Sequence, residues 1–228
     1  MADITLIGTN HGDPTGPSSL EKALRSETPD IITVESGPLL AQAVISGTLK
    51  KSMIRQLKKA RKYGLREDVY EAIVAFTKKN HSYEIVTSKR YATESGIPIH
   101  YIDHPETDRG PLEAANRPVR RESVGNMNSF SIDRFADEAN FWYEHTRRAF
   151  DDPEHAQQIL DRYSALLIPQ LDRDEVPAGH VRRLIQDFPA AKVVHVGGCI
   201  HLLDDKKRRT LYSKIKELNP TRKVLRDY

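Results

Sequence analysis

Ile4-Thr5-Leu6-Ile7-Gly8-Thr9-Asn10-His11-Gly12-Asp13 is a short apolar strand that stops at a glycine, followed three residues later by a histidine and then by a turn carrying a carboxylate. Near the other end, Val193-Val194-His195-Val196-Gly197-Gly198-Cys199-Ile200-His201 repeats the arrangement. The spacing Gly-x-x-His therefore occurs twice, at Gly8–His11 and Gly198–His201, each time after a strand. These two strand ends are expected to lie side by side with both histidines facing one site.

Outward from the first stretch, Pro14, Gly16 and Pro17 make a loop, and Ser18 or Ser19 is the expected cap of a helix reaching about Ser26. Pro29-Asp30 turns the chain into a second strand, Ile31-Ile32-Thr33-Val34, which ends at Glu35-Ser36-Gly37-Pro38. Strand, helix and strand within 40 residues read as a βαβ crossover, hence parallel strands and a right-handed connection. Residues 39–79 carry three apolar stripes at helical spacing, with Gly64 as a stop between the last two. A helix over 83–94 closes at Gly96, and 97–102 reads as a third strand ending at Asp103-His104-Pro105. Residues 107–129, rich in Arg, Asn and Pro, read as a long and mostly irregular loop suited to a lid. Helices are expected over 133–150, over 153–167, and from Pro169 to Ile185 with a kink near Pro177-Gly179. Strand four covers 191–196, a basic amphipathic helix 202–218, and a short edge strand 222–226. The expectation is one α/β domain over residues 1–228: a mostly parallel central sheet flanked by helices, with helical insertions capping the C-terminal ends of the strands.

Composition narrows the classes. The 228 residues are 38% hydrophobic, with a mean hydropathy of −0.58, and no run approaches the roughly 18 apolar residues of a membrane helix. The chain passes from Met1-Ala2-Asp3 straight into a strand, so no signal peptide is expected. The single cysteine, Cys199, rules out an internal disulfide and a multi-cysteine zinc site, and suits a reducing, cytoplasmic setting. A net charge of +3 spread over helix faces with acidic neighbours argues against a nucleic-acid partner. Homo-oligomers remain open.

Ligands of open parallel sheets bind beyond the carboxyl ends of the strands. This chain places His11 and Asp13 after strand one, Glu35 after strand two, Asp103, His104 and Glu106 after strand three, and His201 after strand four. Asp13 and Asp103 are also residues that cap turns, His195 suits packing within its strand, and Cys199 suits a small buried position. Glu35 ends an apolar run, where a carboxylate is costly without a partner. Two histidines and a carboxylate suit a divalent metal such as Mn, Co, Zn or Fe, and without metal the same residues suit general acid–base work. Arg173, in Leu171-Asp172-Arg173-Asp174, is a candidate to hold a carboxylate or an oxyanion.

These motifs resemble the TraB/PrgY family, grouped with Tiki proteases and GumN-like proteins in a superfamily that also holds erythromycin esterases and ChaN proteins. The resemblance is carried by Ile7-Gly8-Thr9-Asn10-His11, by Pro29-Asp30-Ile31-Ile32-Thr33-Val34-Glu35, by Gly96-Ile97-Pro98-Ile99-His100-Tyr101-Ile102-Asp103-His104-Pro105, by Asp172-Arg173-Asp174 and by Val196-Gly197-Gly198-Cys199-Ile200-His201. The chain departs from the pattern at His104, where many relatives have arginine, and at Asp172, where glutamate is usual. The resemblance implies an α/β domain and, from its Tiki-like members, metal-dependent protease activity. Its site would be His11, Glu35 and His201, with Arg173 in support.

The resulting expectation is a metal-dependent, peptidase-like hydrolase acting on a peptide or small molecule. Glu35, His11, His201 and Arg173 would be catalytic, and His11, Glu35 and His201 the metal ligands. Gly8, Gly198, Asp103 and Asp13 would line the bound group. Two alternatives use the same cleft: a non-catalytic peptide- or haem-binding module, and a metal-free esterase.

Overall fold

The computed structural model describes residues 3–162 and 174–228. Five strands form one parallel sheet: β1 (Asp3–Thr9), β2 (Ile31–Val34), β3 (Ile99–Tyr101), β4 (Lys192–Gly198) and β5 (Thr221–Val224). Their order across the sheet is β3-β2-β4-β1-β5. The first crossover, through helix α1 (Gly16–Glu27), joins parallel strands that are not neighbours, because β4 inserts between β1 and β2. The sequence of β4 suits that place. Val193, Val194, His195 and Val196 are all buried, as a strand covered on both faces requires. Register then sets Gly8 beside Gly197 and Thr9 beside Gly198, so the two Gly-x-x-His strand ends do lie side by side.

Helices α2 (Pro38–Ile45), α3 (Thr48–Arg61), α4 (Glu67–Asn80) and α5 (Tyr83–Ser95) follow the second strand. The left-handed glycines Gly47, Gly64 and Gly96 (φ 72°, 95° and 69°) separate or close them, a conformation that side chains with a Cβ rarely adopt. Gly64 and Gly96 stand where the sequence reading put helix stops. The first helix begins earlier than expected. Thr15 occupies the N-cap and Pro17 lies in the first turn, where a missing N–H is harmless.

Three other expectations fail for identifiable reasons. Residues 107–129 are mostly helical: a 3-10 turn (Pro105–Asp108) leads into α6 (Arg109–Asn116) and α7 (Arg121–Met127). Helices of eight and seven residues are too short to display a clear apolar period. Pro177 does not kink α10 (Glu175–Asp187), because it sits in that helix's first turn. The start expected at Pro169 lies outside the described residues. No single helix spans 202–218. A 3-10 turn (Cys199–Leu202) is followed by an irregular stretch and only then by α11 (Leu211–Ile215). The buried Asp205 carboxylate accepts the backbone N–H groups of Lys207 and Arg209, and Thr210 caps α11 through Ser213 N–H. Such side-chain bonds to nearby backbone compete with helix. Helices α8 (Ile132–Asp151) and α9 (Pro153–Arg162) start where the aromatic patch and Pro153 pointed, and β5 is an edge strand. Among the described residues, no helix is long and apolar enough to cross a membrane.

The buried Glu27 carboxylate contacts Lys223 Nζ at 2.6 Å, Lys192 Nζ at 3.0 Å and the Tyr228 hydroxyl at 2.5 Å. Burial disfavours its charge, but the hydrogen bonds from Lys223, Tyr228 and Lys192 outweigh that and lower its pKa to about 2. A carboxylate depressed from 4.5 to that value contributes about 3 kcal/mol of stability above pH 4.5, lost as the pH falls through 2. Glu27→Gln should therefore lose about 3 kcal/mol at pH 7 in urea unfolding. The gap to wild type should narrow steadily between pH 4.5 and 2.

Candidate active site

The three central strands β2, β4 and β1 end together, and each delivers one of the expected residues. β2 runs into Glu35, whose backbone N–H donates to Val196 O of β4 at 2.9 Å. β4 ends at Gly198, whose N–H donates to Glu35 Oε2 at 2.7 Å. The 3-10 turn then swings His201 back over the strand end, and its Nε2 lies 2.9 Å from Glu35 Oε1. Gly197 has to be a glycine here. A Cβ there would sit 2.7 Å from His195 Nε2 and 2.8 Å from Glu35 Oε2. Gly198 serves the site through its backbone N–H. Gly8 serves packing, since a Cβ there would crowd Cys199 Sγ and Leu202 at 3.1 and 3.2 Å.

His201 is held at both ring nitrogens. Asp174, at the start of α10, accepts from Nδ1 at 2.7 Å, and both residues are buried. Burial alone would strip the ring of its proton. The charges of Asp174 and Glu35 override burial and hold the His201 pKa well above its ordinary value. His201 thus bridges two acidic side chains, Asp174–His201–Glu35, with its proton held tightly and burial pushing Asp174 up.

His11 has a parallel arrangement. Its Nδ1 lies 2.7 Å from Glu84 Oε1, near the start of α5, and its side chain is 73% exposed. The ring can therefore meet a ligand while Glu84 stays buried. The Glu84 charge is the main cause that raises the His11 pKa to about 9. The charge of Glu35 adds to it and that of His201 opposes it, so the three groups share one electrostatic environment.

The loop carrying His11 is pinned by two tyrosines. The Tyr83 hydroxyl donates to Asn10 O at 3.1 Å, and Asn10 N–H donates to the Tyr143 hydroxyl at 3.2 Å. Tyr143 in turn donates to Asp13 Oδ2 at 3.0 Å. Asp13, fully buried, also accepts from the Thr15 N–H and hydroxyl, both at 2.8 Å. The structure thus assigns Asp13 to holding the loop. Asp103 accepts from His104 N–H at 2.7 Å and from the Thr107 hydroxyl at 3.0 Å. It thereby starts the turn into α6 while also lining the cavity beside the site. His104 accepts from Glu106 N–H at 3.2 Å. His195 is buried, with Nδ1 2.9 Å from the Thr33 hydroxyl, and burial lowers its pKa to about 4. Arg173 lies outside the described residues.

Two residues were missed. Asp174 closes the Asp172-Arg173-Asp174 motif, in which the arginine is the more conspicuous candidate. Glu84 gave no local signal, because a glutamate in a helix's first turn is ordinary.

Glu35, His11 and Glu84 open onto a cavity of about 700 Å³. Its walls are mainly apolar side chains of α2 to α4, with Pro111, Ala114, Val119 and Met127 from the 107–129 segment. That segment does cover the strand ends, as helices.

Both imidazoles are oriented through Nδ1 by a carboxylate, which is how metal-ligating histidines are commonly held. Two imidazoles and Glu35 are chemically suited to a divalent cation. Among the described residues, however, no three His, Cys, Asp or Glu side chains are placed to hold one together. The His201 nitrogen that would ligate is the one bonded to Glu35.

Compared with family models, curated proteins and solved structures, the chain finds no match in any of the three.

Proposed function

We propose that the chain is a hydrolase acting on an amide or peptide bond, with Glu35, His11 and His201 as its reacting groups. One observation carries this: the Asp174–His201–Glu35 chain and the Glu84–His11 pair stand at adjacent strand ends beside an apolar cavity. The resemblance to TraB-like and Tiki-like proteins supports the same reading. A divalent metal held by His11, Glu35 and His201 would lower the pKa of a bound water and polarise a carbonyl. The protein's own contributions follow from the contacts. Asp174 and Glu84 orient the two rings by accepting at Nδ1. Glu35 accepts from His201 Nε2 at Oε1 and is fixed by Gly198 N–H at Oε2. Glu35 is therefore placed to hold a proton during bond cleavage. The cavity walls exclude water from the bound chain.

A second reading is favoured by the double engagement of His201. With His201 bonded to a carboxylate at each ring nitrogen, Glu35 can serve as the base and His201 as the proton donor that a metal-free esterase or amidase needs. Non-catalytic binding of a peptide or haem in the same cavity is the third.

Elemental analysis of the purified protein, with hydrolysis assays on amide and ester reporters, separates them. The first reading expects bound divalent metal in wild type, lost together with hydrolysis in His11→Ala and in His201→Ala. Chelator-resistant activity that still vanishes in His201→Ala would move the assignment to the metal-free reading. Wild-type protein without metal, hydrolysing no faster than the double variant, would overturn hydrolysis altogether.

A further inference from the structure

The cavity is apolar but not uniformly so. Leu40, Leu49, Met53, Leu57, Ile73 and Phe76 dominate its wall, while Gln56 on α3 and Asn80 and His81 at the end of α4 interrupt it. Gln56 and Asn80 are more than nine-tenths buried. Gln56 Oε1, Asn80 Oδ1 and His81 Nε2 are buried and have no hydrogen-bond partner among the described residues. Orphaned buried polar atoms cost free energy and call for an explanation such as a missing ligand. Each carboxamide offers an acceptor and a donor pair about a soft terminal torsion, so it can turn toward a guest in the cavity. The orphaned carboxamide oxygens are acceptors and call for a donor, and an amide brings an N–H beside its own carbonyl.

We propose that this cavity takes an N-acyl amide: one aliphatic chain along the apolar wall, with a single amide at the Asn80–His81 end. The volume of about 700 Å³ falls within the roughly 300–1,000 Å³ of small-molecule sites. A polypeptide fits less well. Every residue of a bound peptide brings one N–H and one C=O, and three orphaned atoms cannot serve several residues. A plain hydrocarbon chain would leave all three unpaired. Asn80 and His81 run directly into α5, whose first turn carries Glu84, which places them toward the His11–Glu84 end of the cavity. As a substrate assignment the proposal rests on the hydrolase reading. Water adds its oxygen to the acyl carbon, the C–N bond breaks, and a carboxylate and an ammonium leave. As a binding assignment it stands by itself.

Calorimetric titration of the full chain with N-methyldecanamide, decyl methyl ether and acetyl-trileucine N-methylamide tests it. The decanamide should bind about tenfold more tightly than either other probe. In Asn80→Leu, and in Asn80→Ala should that variant not fold, that preference over the ether should shrink to about twofold with ether binding retained. Tighter peptide binding, an unchanged preference in the variants, or no binding of either decyl compound would overturn it. Binding by Glu35→Gln separates the two proposals. Wild-type-like affinity for the decanamide with no amide hydrolysis by wild type would leave the ligand class standing and remove the hydrolase. Hydrolysis of other amides without decanamide binding would do the reverse.

Discussion

Glu35→Ala should destabilise the protein by about 3–5 kcal/mol and abolish hydrolysis, whereas Glu35→Gln should keep most of the stability and still be inactive. Glu35 accepts the Gly198 N–H and contacts His201 Nε2 from a side chain only 7% exposed. Truncation leaves His201 with one acidic partner instead of two and a backbone N–H with no acceptor. Removing one member of a buried charged pair costs the desolvation of the member left behind. The glutamine keeps the shape and an oxygen for Gly198, so its loss is mainly electrostatic. It cannot take the proton, so chemistry fails at a position where folding largely survives. Urea unfolding at pH 7 beside an amide-hydrolysis assay reads both quantities. An alanine variant as stable as wild type would show that the Asp174–His201–Glu35 chain is not held as the geometry has it. A fully active glutamine variant would remove Glu35 from the reaction.

The second large effect is a steep pH dependence of divalent-metal binding. Both candidate imidazoles hold a proton more tightly than a free imidazole. Glu84 raises His11 to about 9, and Asp174 and Glu35 hold His201 well above its usual value. A metal takes the unprotonated ring, so binding at both histidines displaces up to two protons. Apparent affinity should then rise with pH, by up to about a hundredfold per unit between pH 6 and 8. Above pH 9, where His11 releases its proton unaided, the rise should become shallower, to about tenfold per unit. The sign is opposite for the protein without metal. A histidine whose folded pKa is raised contributes stability that is complete below pH 6.5, and for His11 it is lost as the pH rises through about 9. Added metal should therefore stabilise more at pH 8.5 than at pH 6.5. Calorimetry in two buffers of different ionisation enthalpy gives the proton count directly. A pH-independent affinity would show that the imidazoles are not the ligands.

Much of the frame could be read from residue patterns. The apolar runs before Gly8, Glu35, Asp103 and Gly198 mark strand ends because a buried parallel strand must be apolar on both faces and must stop where polar groups begin. The central helices were legible from their apolar stripes, and two of their stops from Gly64 and Gly96. What stayed hidden was short or was decided by side chains bonding to backbone. The helices within 107–129 lack enough turns to show a period, and residues 202–218 read as one amphipathic helix until Asp205 claims the backbone of Lys207 and Arg209.

The same division holds at the site. By itself the sequence determined that His11, Glu35 and His201 stand just beyond strand ends, since that follows from position along the chain and the period of the strands. Only the tertiary structure decided that β4 lies between β1 and β2, which brings those three ends together, because strand order is set by long-range packing that no local pattern encodes. It also decided that Asp13 anchors a loop while Asp174 and Glu84 hold the two rings. A carboxylate's role depends on which donor it meets, and these donors lie 130, 27 and 73 residues away along the chain.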